Sequence, residues 1–148
     1  MPKIDLTLRI KTADGEIKEN LPTQEVEAYG EIAFELLGEE TKCIEVQPSN
    51  KDKLIFLLIK SSRYTDEQDN NNKILYDAKL DREPEIELDK PHFYQGVGEI
   101  SISQEEPKIL KFKSTYPAGT TDEEKEKNKA QIEILVGRQA VVSCPSTP

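Results

Sequence analysis

The chain has 148 residues, of which 29 are acidic and 20 are basic, so its formal net charge at neutral pH is -9. A chain of this length is the size of one ordinary domain and can bury enough surface to fold without disulfides or a structural metal. Nucleic acid and membrane surfaces are excluded as expected partners, because both attract clustered Lys and Arg, which are outnumbered here.

The N-terminal sequence, Met-Pro-Lys-Ile-Asp, lacks the basic region, apolar stretch and small-residue cleavage site of an export signal. We therefore expect a cytoplasmic protein. Its two cysteines, Cys43 and Cys144, lie far apart in the sequence and are expected to stay reduced in that compartment.

Residues 3–10 form the first predicted strand, because apolar and polar residues alternate there with a period of two. Asp14 and Gly15 favour a tight turn, which leads into a second short strand at residues 16–18. The first strand is expected to be half-buried. Its buried face should consist of Ile4, Leu6, Leu8 and Ile10.

Residues 21–38 fit either a helical stripe or the alternation of a strand. Gly30 would weaken a continuous helix by about 1 kcal/mol relative to Ala. We therefore predict a loop or a single helical turn at residues 23–27, followed by a strand at residues 31–37.

Residues 54–59, Leu-Ile-Phe-Leu-Leu-Ile, are six consecutive apolar residues. The run is too short for a membrane span or an ordinary core helix, so it predicts a strand that is covered on both faces. We place this strand at the centre of the fold. Alternation at residues 41–47 predicts the strand before it.

Further along the chain, alternating residues predict more strands, and Gly96 and Gly98 indicate a bulge. Turn signals recur at the spacing of a sandwich. The sequence thus predicts a mainly β, antiparallel, jelly-roll-like β-sandwich with little helix. Residues 1–148 form one domain, with a core at about 3–137 and a tail at 138–148. The later strands are predicted at residues 74–80, 85–89, 100–103, 109–113 and 132–136, and the two long polar loops at 61–72 and 117–131.

Motifs for known chemistries are missing from the sequence. A zinc site needs four closely spaced ligands, whereas the chain has two isolated cysteines and a single histidine, His92, which no nucleophile motif accompanies. The oxygen-rich residues 66–72 lack the Gly and the closing Glu of a calcium loop. We therefore expect no cofactor and no metal, calcium included.

Two features are candidates for partner contacts. Tyr64 and Tyr116 lie beside the polar loops, where exposed aromatic rings could stack on a sugar or contact a protein. Ala140, Val141 and Val142 form a short apolar cluster in the C-terminal tail, which could pair with the edge of a second copy or of another protein.

These features favour a non-enzymatic β-sandwich subunit that acts through protein-protein contacts in a larger virus-like, tail-like or secretion-like assembly. Self-association or a protein partner is expected. A carbohydrate- or small-ligand-binding module is the alternative. A hydrolase that uses two carboxylates is the second alternative, since 29 acidic residues will place some carboxylates close together.

Overall fold

A computed structural model of the chain describes residues 3–5, 7–20, 24–25, 28–46, 52–69, 71–96 and 100–140. Within these ranges the chain forms twelve β-strands and one α-helix. The strands are β1 (Lys3–Ile4), β2 (Thr7–Thr12), β3 (Gly15–Asn20), β4 (Gln24–Glu25), β5 (Ala28–Leu36), β6 (Thr41–Glu45), β7 (Asp52–Ser61), β8 (Ile74–Asp77), β9 (Ile86–Glu87), β10 (His92–Gln95), β11 (Ile109–Ser114) and β12 (Ala130–Ala140), and the helix is α1 (Asp122–Asn128).

Strands β5 to β12 form two packed, four-stranded sheets in which every pairing is antiparallel. Sheet I has the order β5-β12-β7-β10, and sheet II has the order β6-β11-β8-β9. The first of these eight strands pairs with the last, the second with the seventh, the third with the sixth and the fourth with the fifth. This nested pairing is the double Greek key of a jelly roll. The predicted antiparallel, jelly-roll-like sandwich is confirmed.

Apolar side chains between the two sheets form the core. Leu110 and Phe112 of β11 are fully buried, as the alternation predicts, and the Phe112 ring stacks on Tyr76 with centroids 5.8 Å apart. Phe34 of β5 meets Phe112 edge to face at 5.3 Å, so the contact joins sheet I to sheet II.

Strand β7 is an inner strand of sheet I, as predicted, because it pairs with β10 and β12. Its register with β12 shifts where Gly137 lies opposite Phe56 and Arg138 lies opposite Leu54. Ile55 is therefore the extra residue of a β-bulge. The bulge puts Ile55 and Phe56 together on the outer face of sheet I, whereas Leu54 and Leu57 both face the core.

The glycine-rich segment after β10 is described only at Gly96, whose N–H donates to the Ile55 carbonyl at 3.2 Å. The remainder of the bulge predicted there, residues 97–99, lies outside the described ranges. A different prediction is wrong: residues 100–103 do not form a strand. Ile102 pairs only with Glu105 across a tight turn.

Several predicted element bounds differ from the structure. The strands predicted at residues 74–80 and 85–89 are shorter, Ile74–Asp77 and Ile86–Glu87. Strand β5 begins at Ala28, and residues 24–25 are already extended as β4, so the helical turn expected around them is wrong at these positions. Strand β12 continues through Gly137 to Ala140, because the bulge lets the pairing with β7 resume beyond the glycine. The predicted tail at 138–148 therefore starts inside a strand.

The second polar loop, predicted at residues 117–131, contains helix α1. The helix buries no residue. It is stabilised at its start instead: the Thr121 hydroxyl accepts the Glu124 N–H at 3.1 Å, and Asp122, Glu123 and Glu124 place negative charge in the first turn. Capping and charge produce this helix without packing.

Strands β2 and β3 form a hairpin, residues 7–20, that we call the arm. Its turn at Ala13-Asp14 is the predicted one, but every residue of the arm is exposed. Leu8, Ile10 and Ile17 lie on one face with exposed fractions of 50%, 45% and 63%. The prediction of a half-buried first strand is therefore wrong for the arm, because alternation defines a face without showing what covers it. Leu6 and the Ile4 side chain lie outside the described part.

Candidate functional site

A chain of polar side chains links the two sheets at the β8 and β10 strands. The buried Tyr76 hydroxyl hydrogen-bonds to Nδ1 of His92 at 2.7 Å and to the hydroxyl of Tyr94. Nε2 of His92 lies 3.1 Å from a carboxylate oxygen of Asp89. Because a carboxylate only accepts, Nε2 of His92 is the donor to Asp89, which leaves Nδ1 as the acceptor for the Tyr76 hydroxyl.

The order carboxylate, imidazole and hydroxyl is that of a nucleophilic triad. Tyr76 is fully buried, however, and stacks on the core ring Phe112, so a substrate has no access to its oxygen. Burial raises the pKa of Tyr76 far above its usual range, and the hydrogen bond with Tyr94 raises it further, so the phenolate does not form. These hydrogen-bonded side chains therefore link sheet II to sheet I, and Tyr76 does not act as a nucleophile.

Asp77 is a buried carboxylate at the end of β8. It accepts hydrogen bonds from Nη2 of Arg82 at 3.0 Å and from the N–H groups of Lys79 and Glu85 at 3.2 and 3.3 Å. Burial alone would raise the pKa of Asp77, but hydrogen bonds from Ser103, Lys79 and Arg82 outweigh it and lower the pKa. Asp77 thus holds the loop after β8 against sheet II.

We expect Asp77→Asn to destabilise the protein by about 1–3 kcal/mol at neutral pH, because it leaves buried donors without an ionised acceptor. The lowered pKa means that folding favours the ionised carboxylate, which in an unfolded chain titrates near 3.9. This stabilisation is complete above about pH 4 and is lost as the pH falls through the folded pKa. The difference between the two proteins in urea denaturation should therefore shrink in acid.

Asp81→Asn is the matched control, because it removes the same charge from an exposed position in the same loop. Its stability should follow that of the unsubstituted protein at every pH. A constant difference between Asp77→Asn and the unsubstituted protein from pH 7 to pH 2 would contradict the role given to the ionised carboxylate.

The two tyrosines predicted as partner contacts are not exposed platforms. Tyr116 is only 4% exposed, and its hydroxyl donates to the Tyr64 carbonyl at 2.6 Å. The Arg63 guanidinium lies 5.1 Å from the centroid of the Tyr116 ring. Tyr64 is half-buried against the core, and its hydroxyl accepts the Ser61 N–H at 3.2 Å. The structure thus leaves Tyr116 no free ring face for a sugar or a partner.

The predicted tail contact lies mostly beyond the described part of the chain. Ala140 ends β12, where its backbone pairs with Asp52. Val141 and Val142 fall outside the described residues. A partner contact by these three residues therefore stays a prediction.

The outer face of sheet I carries an apolar cluster that the sequence did not identify as a surface. This outer cluster consists of Ile55, Phe56, Leu58, Leu135 and Phe93. Phe56 is 1% exposed, whereas Phe93, which meets it edge to face at 5.0 Å, is 42% exposed. The six-residue apolar run was the available signal, since a strand that is apolar on both faces needs a cover on both.

A shallow groove of about 270 Å³ opens on the same face, across β5, β12 and β7. Leu58 and Leu135 form its apolar part, and Ala33 leaves space on the β5 side. Its charged groups are Glu31 and the ion pair between Lys60 and Glu133, whose Nζ and Oε2 atoms are 3.0 Å apart.

In the segment evaluated as a calcium loop, side-chain carboxylates hydrogen-bond to the backbone of the same segment. The Asp66 carboxylate accepts the Gln68 N–H at 2.9 Å, and the Asp69 carboxylate accepts the Asn71 N–H at 3.0 Å. In the part of the chain that the structure describes, three or more His, Cys, Asp and Glu side chains do not come together as they would around a metal ion.

Among the described residues, no helix has the length and apolar character needed to cross a membrane. Comparisons of the chain with models of protein families, with curated proteins and with solved structures found no match. With no relative to indicate a site, the candidates come from the structure: the arm, the outer cluster with its groove, and the buried hydrogen-bonded side chains at Tyr76.

Proposed function

We propose that this protein is a non-enzymatic jelly-roll subunit that acts through protein-protein contacts within a larger assembly. The observation that carries the proposal is the arm, whose apolar side chains Leu8, Ile10 and Ile17 all lie on one face and are all exposed. A two-stranded hairpin alone in water is at best marginally stable, so such a face gains stability when another surface covers it.

The energetic gain from that cover is considerable. Burying a Leu or Ile side chain contributes roughly 1.5–3 kcal/mol relative to full exposure, and here about half of each side chain is still accessible. Three such side chains on one face supply an apolar centre of the kind that protein interfaces have. A polar loop that only faces water would not need them.

The polar groups of the domain support a non-enzymatic role. The Tyr76 hydroxyl is buried, and the buried Asp77 carboxylate already accepts hydrogen bonds from Arg82 and Glu85 of the loop that follows it. The groove on sheet I is about 270 Å³, just below the range of about 300–1,000 Å³ in which small-molecule sites usually fall. A flat apolar face of this kind suits a protein surface better than a sugar or a metabolite.

Sedimentation velocity over a wide concentration range tests the proposal. We expect species heavier than the 16.8 kDa monomer, and we expect Ile17→Lys to weaken association without lowering the melting temperature, because Ile17 is 63% exposed. Removing residues 141–148 is the second variant, since it leaves β12 complete and tests the predicted tail contact.

Leu80→Lys is the matched control, because it places the same charge on an exposed aliphatic residue outside the arm. It should leave association unchanged. A strict monomer at the highest concentrations, with Ile17→Lys and Leu80→Lys behaving alike, would contradict the proposed function.

A further inference from the structure

We propose that the arm of one copy packs its apolar face onto the outer cluster of sheet I of a second copy. This inference rests on the proposed function and names the partner surface. The same chain would then supply both a projecting apolar face and the apolar groove that receives it.

The geometry of the arm suits this role. Ile10 lies directly opposite Ile17 in the hairpin register, and Leu8 lies two residues away on the same face. Strands of six residues extend about 20 Å, so these three side chains form a compact apolar patch on one face of a narrow ribbon. This face also carries Glu19, opposite Leu8, whereas on the other face Arg9 pairs with Glu16 at 2.8 Å.

The receiving surface has a row of apolar side chains. Leu135 lies opposite Leu58 in the pairing of β12 with β7, and Leu58 lies opposite Phe93 in the pairing of β7 with β10. These three side chains therefore form a line across sheet I. The shallow groove of about 270 Å³ beside them adds apolar surface from Ala33, Leu58 and Leu135.

Charge favours this contact over other contacts between two copies. Residues 1–20 contain four acidic and four basic residues, so the full net charge of -9 lies on residues 21–148. The net charge of two such acidic bodies opposes their approach. The neutral arm is the part of the chain that can approach an acidic sandwich without adding to that repulsion.

The receiving surface belongs to another copy because the arm does not cover its own. In the single chain every residue from Thr7 to Asn20 is exposed, and Phe93 is 42% exposed at the same time. Arm exchange between two copies would bury the apolar face of each arm and the outer cluster of each copy in one symmetric contact.

The contact is expected to be modest. A ribbon face of about 20 Å by 10 Å is small even when two arms exchange, which places the interface near or below the lower end of stable complexes, about 1,200 Å². Association should therefore depend on concentration. Ile17→Lys should weaken it about tenfold or more, because the interface loses one buried aliphatic group and gains a charge.

Disulfide trapping between two differently tagged chains tests the inference, in a background with Cys43→Ser and Cys144→Ser. One chain carries Ile17→Cys on the arm, and the other carries Ala33→Cys at the groove. We expect a mixed disulfide dimer as the main oxidised product. Two controls change one position each: Lys18→Cys moves the arm cysteine to the opposite face of the hairpin, and restoring Cys43 in place of Ala33→Cys offers an exposed thiol on sheet II.

A mixed dimer for the Ile17 and Ala33 pair, with both controls at background, supports arm exchange. Trapping in the controls equal to that of the Ile17 and Ala33 pair overturns it. Association in sedimentation without the specific disulfide overturns arm exchange but leaves the proposed function standing, whereas a strict monomer defeats both.

Discussion

Phe56→Ala is expected to destabilise the domain by about 3–5 kcal/mol, the usual cost of truncating a buried aromatic side chain. Phe56 is 1% exposed and packs with Ile55 in the outer cluster, so its removal leaves a cavity that the flat sheet cannot close. In a chain of this size the loss corresponds to a fall of about 10 °C in melting temperature. Thermal and urea unfolding followed by circular dichroism measure it.

Phe93→Ala is the matched control, because it removes the other ring of the same edge-to-face pair. Phe93 is 42% exposed, so its truncation should cost only about 1–2 kcal/mol, from the lost ring contact and partial burial. If the two variants lose the same stability, Phe56 is not the buried member of the pair.

Gly38→Ala is expected to cost about 3 kcal/mol, at the upper end of the range for overpacking. Gly38 lies in the turn between β5 and β6, where a Cβ atom would stand 2.1 Å from the Pro117 carbonyl oxygen and 2.9 Å from that of Tyr116. Both contacts are with backbone, which cannot move aside by changing a rotamer. Denaturant unfolding measures the loss.

Gly30→Ala separates the clash from the general effect of replacing glycine. A Cβ at Gly30 would meet the Val136 and Arg138 side chains at 3.4 and 3.5 Å, which is ordinary contact. Since alanine also suits a strand better than glycine, this variant should be neutral or slightly stabilising. A Gly38→Ala protein as stable as Gly30→Ala would mean that the Pro117 carbonyl does not approach the turn.

The strands that face the core were predictable because one face of each is buried. In β11, Leu110 and Phe112 alternate with lysines, and this pattern alone places them inward. The run at residues 54–59 likewise identifies an inner strand. In both cases the period of two reports the environment, since a buried face and a solvated face differ in composition.

Other features depend on contacts that local sequence does not encode. The face that Leu8 and Ile10 share looks like a core face, but both side chains are exposed and none of the described residues of the sandwich covers them. Phe56 is directed outward by an extra residue opposite Gly137, a register shift that only the partner strand reveals. Tyr116 stands beside a polar loop in sequence, yet its ring lies in the core.

The nested strand order has a consequence for how the chain folds as it is synthesised. Strand β12 lies between β5 and β7 in sheet I, although Gln131 of β12 and its neighbour Glu35 of β5 are 96 residues apart in the sequence. Until β12 leaves the ribosome, the facing edges of β5 and β7 have no partner, and unpaired edges invite pairing between chains. Pairing across such separations closes large loops and is slow. Sheet I is therefore completed only after most of the chain has emerged, and nascent chains stay exposed to aggregation until then.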